Sequence, residues 1–78
     1  MEAKVVRVRE HEFTGDDNQT IKGMFFYLTV DREGGGVDTR RVFASEDRIA
    51  EWAYVPKAGD VVLVFYSNGK VIDMLKSR

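Results

Sequence analysis

The chain has 78 residues, of which 12 are Lys or Arg and 13 Asp or Glu, for a formal net charge of −1. A chain this short supports one hydrophobic core and excludes a second domain. Its longest apolar runs, Met24 to Leu28 and Val61 to Tyr66, fall far below the roughly 20 residues of a membrane-spanning helix.

Without cysteine there is no disulfide, zinc-thiolate site or thiol nucleophile. No export signal is legible near Met1, where Arg7 and Arg9 soon follow Val5, so a cytoplasmic protein that does not enter a membrane is expected.

Ala3 to Phe13 reads as a first strand, with Val6 and Val8 alternating with Arg7 and Arg9. Thr14 to Gln19 is a cluster of turn formers, in which Gly accepts positive φ and Asp or Asn side chains satisfy nearby backbone donors. Lys22 to Arg32 follows as a second strand, dense in aromatic and β-branched residues. Glu33 and the glycines at 34 to 36 form a hairpin tip, and Val37 to Ala44 returns as the third strand.

Ser45 is placed to cap a helix, with Glu46 and Asp47 at the positive end of its dipole. Ile49, Trp52 and Ala53 recur on one helical face, so the helix is expected to run about two turns and to stop at Pro56. Val61 to Tyr66 is continuous enough to predict a mostly buried fourth strand. Asn68-Gly69 then predicts a type I′ hairpin into a fifth strand, Lys70 to Leu75.

Three strands, a helix and two strands form the order of a five-stranded OB-type barrel, an all-β fold with one short helix between strands three and four. An SH3-like barrel is the rival, but it usually joins its last two strands by a single helical turn rather than a hairpin.

Strand periodicity then divides the residues between two faces. With Met24, Phe26, Leu28 and Val30 inside, Phe25, Tyr27 and Thr29 face outward. Val6, Val8 and Val42 inside would place Arg7, Arg9, Arg41 and Phe43 on that same outer surface. Interleaved rings and guanidinium groups suit single-stranded nucleic acid, since every base has a face to stack on and cations follow the phosphates.

The same pattern fits other arrangements. Strand two could be buried on both sides, under a helix or in a dimer interface, and a bulge could exchange Phe43 with Val42. The arginines could instead form cross-strand ion pairs with Glu10, Glu12 or Asp38.

Enzymatic chemistry has no constellation behind it. His11 is the sole histidine, and neither Ser45 nor Ser67 has an identifiable base. Glu12, Asp16, Asp17 and Asn18 do not match a calcium-loop spacing. No metal or other cofactor is expected.

The aromatic strand Gly23-Met24-Phe25-Phe26-Tyr27 and the closing hairpin, from Gly59-Asp60-Val61-Val62 through Asn68-Gly69-Lys70-Val71, resemble the small OB-fold single-stranded DNA-binding proteins of phages and mobile elements. That resemblance implies cooperative, sequence-tolerant binding of single-stranded DNA or RNA, often by a homodimer. The near-neutral charge departs from the basic footprint of such binders.

Overall fold

The structure, a computed structural model, describes residues 1–77. Its elements are β1 (Glu2–Thr14), β2 (Thr20–Asp31), β3 (Val37–Ser45), α1 (Glu46–Ile49), β4 (Val61–Ser67) and β5 (Lys70–Lys76). All five strands join one antiparallel sheet in the order β3-β2-β1-β4-β5. The fold is therefore all-β with one short helix. The sheet is not closed into a barrel: β5 approaches β3, but among the described residues no ladder joins them.

β1 belongs to both halves of the sheet. Glu2 to Lys4 pair with β4, while Lys4 to Thr14 pair with β2. Reciprocal bonds extend its contact with the segment entering β4: the Val5 N–H donates to the Asp60 carbonyl (2.8 Å) and the Gly59 N–H to the Val5 carbonyl (2.7 Å). Beyond this point β1 leaves β4 and continues with β2 as an arm, which contributes to extents of 45 × 24 × 24 Å.

The register shifts between Val5 and Arg7. One extra residue in a strand bends it and reverses which residues face the core. Ala3 and Val5 thus point inward before the bulge and Val8 after it, while Val6 is 48% exposed. This corrects the expectation that Val6 lies inside.

Phe26, Leu28, Val5, Val62 and Met74 are fully buried. Met24, Val30 and Val42 pack against them at the margin, so the inward assignment of β2 holds. Burying each large apolar side chain contributes roughly 1.5–3 kcal/mol. β4 is buried on one face only: Val62 and Val64 point inward, whereas Leu63 (37%) and Phe65 (42%) are exposed.

The helix is a single turn. The Ser45 hydroxyl accepts the Arg48 N–H at 3.3 Å, as expected of a cap. The chain then tightens, with the Glu51 N–H donating to Arg48 and the Trp52 N–H to Ile49. Bonds spanning three residues are typical of a frayed helix end. Tertiary packing explains the early stop. Trp52 lies against Phe26 (ring centroids 5.7 Å apart) and donates its Nε1–H to the Ile72 carbonyl at 2.9 Å. Trp52 is buried as expected, but Ala53 is exposed.

Candidate nucleic-acid interface

The pairing register arranges the outer face of β1, β2 and β3 in rows across the strands. Lys4, Thr29 and Thr39 form one row, followed by Arg7, Tyr27 and Arg41, then Arg9, Phe25 and Phe43. His11, Gly23 and Ser45 come next, and Phe13 with Ile21 ends the face on the arm. All six residues singled out from the sequence, Arg7, Arg9, Phe25, Tyr27, Arg41 and Phe43, therefore share one surface. β3 pairs with β2 without a bulge, so Phe43 and Val42 keep the expected sides.

These rows carry four cations, Lys4, Arg7, Arg9 and Arg41, and no carboxylate. Beyond the first row the same face continues to Glu2 on β1 and Asp31 on β2, and other acids lie away from it. Glu10 and Glu12 pair with Met24 and Lys22 on the other side of the arm. There they line a cleft of about 540 Å³ together with Met24, Glu46 and Ile49. Asp38 pairs with Arg32 at 3.0 Å, and both side chains are exposed. This segregation reconciles a net charge of −1 with a locally basic surface.

The arginines face rings rather than acids. Arg41 Cζ lies 4.6 Å from the Phe25 centroid, Arg9 Cζ 5.7 Å from the same ring, and Arg7 Cζ 5.6 Å from Tyr27. Among the described residues none of the three forms an ion pair with a carboxylate. A guanidinium over an aromatic face gains about 0.5–1 kcal/mol at an exposed site, and its five N–H donors remain directed outward from a planar fork.

Two residues that sequence reasoning left off this surface belong to it. His11 and Phe13 complete a circuit of four rings: His11 to Phe25 (4.9 Å), Phe25 to Phe43 (5.2 Å), Phe43 to Phe13 (5.3 Å) and Phe13 to His11 (5.7 Å). The alternation that places Arg7 and Arg9 outward also places His11 and Phe13 there, and the signal is obscured by the glutamates between them. Gly23 makes room for the circuit. A Cβ at that position would fall 2.3 Å from the Ala44 carbonyl oxygen and 2.6 Å from Phe43 Cζ.

Such a face can stack flat rings and neutralise anions. Among the described residues no cluster of His, Asp and Glu has the geometry to hold a metal ion. No helix of the described residues is long and apolar enough to cross a membrane. Compared with protein-family models, curated proteins and solved structures, the chain matches none.

Proposed function

We propose that this chain is a non-enzymatic binder of single-stranded nucleic acid, which stacks bases on its outer aromatic face and neutralises phosphates with Arg7, Arg9, Arg41 and Lys4. The observation that carries this reading is the trio of guanidinium groups on this face, which rest on aromatic rings and not on carboxylates. Charge-assisted bonds from guanidinium to phosphate are about twice as strong as neutral ones. Base stacking on an aromatic side chain adds about 1–3 kcal/mol per base without demanding a sequence.

The strand order supports an OB-type reading of the sheet. β3 and β5 are its two free edges and approach one another, and the helix follows β3. OB folds are partly open barrels that bind oligonucleotides on strands two and three. A homodimer goes with the family resemblance.

The alternative is that the same face joins two protein chains, which its exposed Phe13 (40%) and Ile21 (41%) would favour. Salt separates the two readings, because phosphate binding weakens as ionic strength rises whereas apolar association holds or strengthens.

With three to four phosphates neutralised, the affinity for an unstructured deoxyoligonucleotide should fall about 20- to 50-fold between about 50 and about 200 mM salt. Arg7→Ala should reduce the slope of log K against log salt by about 0.7. Tyr27→Ala should weaken binding about 5- to 150-fold. Fluorescence anisotropy measures all three, and absence of binding at low salt refutes the proposal.

A further inference from the structure

His11 is the one histidine of the chain, and cysteine is absent. Histidine is the side chain whose charge ordinarily changes between about pH 5 and about pH 8. In that range pH can therefore act on this molecule through one imidazole and, at the alkaline end, the Met1 amine. The amine lies apart from the cationic rows, donating to the Val64 carbonyl on β4 at 3.2 Å.

The imidazole stands where a proton would matter. His11 follows Arg9 at the strand period on the same side of β1, and its partner Gly23 still pairs with Ser45, so its row belongs to the three-stranded sheet. Two residues along a strand span roughly 7 Å, and a phosphate held by Arg9 can be shared with His11. The ring is half-buried beside Phe25, which is itself enclosed by Arg41, Arg9 and Phe43. Among the described residues no hydrogen bond or ion pair occupies the imidazole nitrogens, so they are available to an incoming acceptor.

The charges around His11 pull in both directions. Arg9 beside it and Arg41 across the shared Phe25 ring oppose a further cation. Toward the underside His11 borders the cleft that holds Glu10 and Glu12 of β1 and Glu46 of α1, which favour one, and Lys22 of β2, which offsets them in part. From β3, Phe43 and Ser45 stand at this height and carry no charge. A phosphate arriving on Arg9 tips this balance, because an adjacent anion favours the protonated ring.

We propose that His11 is a proton-gated phosphate contact of this face, taking up a proton as the nucleic acid arrives and holding it against the phosphate beside Arg9. The proposal rests on the nucleic-acid reading of the same face. The sign follows from linkage: proton and oligonucleotide raise each other's affinity by the same factor, so binding tightens as pH falls and loosens as it rises. For a half-exposed contact the gain from about pH 7.5 to about pH 5.5 is about 3- to 8-fold.

The test titrates the full chain with a deca-thymidylate, whose bases and phosphodiesters keep their charge across this range. Anisotropy should show the 3- to 8-fold gain, estimated as about one proton's linkage, and a salt slope steeper by up to about 0.7 at the lower pH. Calorimetry in two buffers of different ionisation enthalpy should show uptake of part of a proton near neutral pH. His11→Gln and His11→Phe, the second keeping a ring in the circuit, should lose both the pH dependence and the proton uptake. At about pH 7.5 they should bind within about fourfold of the parent. His11→Lys, charged throughout, should bind at both pH values with the parent's affinity at the lower one.

Equal affinity of the parent at the two pH values, with Tyr27→Ala and Arg7→Ala impaired, would overturn the gate while leaving the proposed function standing. A pH dependence that persists in His11→Gln and His11→Phe would also overturn it, because another group then carries the proton. If the parent binds at neither pH in low salt, the nucleic-acid reading itself has failed and the gate falls with it.

Discussion

Gly23 is the residue on which the geometry of the face depends. A methyl group there meets backbone at 2.3 Å and a ring carbon at 2.6 Å, and the carbonyl belongs to a paired strand that has little freedom to shift. Gly23→Ala is accordingly expected to cost about 1–3 kcal/mol through overpacking. In a domain of this size that lowers Tm by roughly 4–8 °C per kcal/mol. Thermal melts measure the loss, and anisotropy should show weaker oligonucleotide binding as Phe43 moves. At this scale the alternation in sequence was informative wherever backbone pairing is regular, and Arg7, Tyr27 and Arg41 follow it. Val6 defeats it, because Val5 and Val6 are equally apolar and nothing in their side chains marks which one the bulge extrudes.

The elements show how local chemistry and packing share control. At the β4–β5 hairpin, Asn68 and Gly69 have φ of 53° and 77°, and Ser67 pairs with Lys70 across the two-residue turn. Asn tolerates that region, whereas a residue with a Cβ at position 69 incurs roughly 1–2 kcal/mol. Gly69→Ala should lower the urea midpoint accordingly without affecting the oligonucleotide salt slope, since the turn contributes no residue to the rows of β1, β2 and β3. The helix is the contrasting case. Its start follows from Ser45 and its acidic first turn, but its length was not legible from the spacing of Ile49, Trp52 and Ala53. Four helical residues provide few intrahelical bonds to resist a competing demand, and the indole of Trp52 is held by Phe26 and the Ile72 carbonyl.

Across the whole molecule, that indole bond links the chain after α1 to β5, on the side of the sheet where no strand pairing closes the fold. Trp52→Phe removes the donor and some buried volume. It should destabilise the protein by about 1–3 kcal/mol, read as a lower urea midpoint, while the affinity of the remaining folded protein for oligonucleotide stays within about twofold. The distribution of charge is likewise a whole-molecule property. A chain with one more acid than base presents a locally basic surface because Glu10 and Glu12 alternate to the underside of the arm, Glu2 and Asp31 lie at the far end of the face, and others lie in loops and around α1. Long-range attraction of a polyanion depends on the local field more than on the sum.

The five strands, their hairpins and the outward position of Arg7, Arg9, Phe25, Tyr27, Arg41 and Phe43 were determined by the sequence itself. Strand period, turn residues and β-branched runs act over a few neighbours, and the code for them is local. Tertiary structure alone decided the bulge at Val6, the single turn of α1, the one-sided burial of β4 and the open seam between β3 and β5. Each depends on contacts between residues distant in the chain, such as Val5 with Asp60 and Trp52 with Ile72. The enclosure of Phe25 and the exposure of Phe13 belong to the same class. Two phenylalanines of equal parity differ only in how many strands flank them. Phe25 lies between β1 and β3, whereas Phe13 stands on the arm beyond the last β2–β3 pair, Gly23 with Ser45.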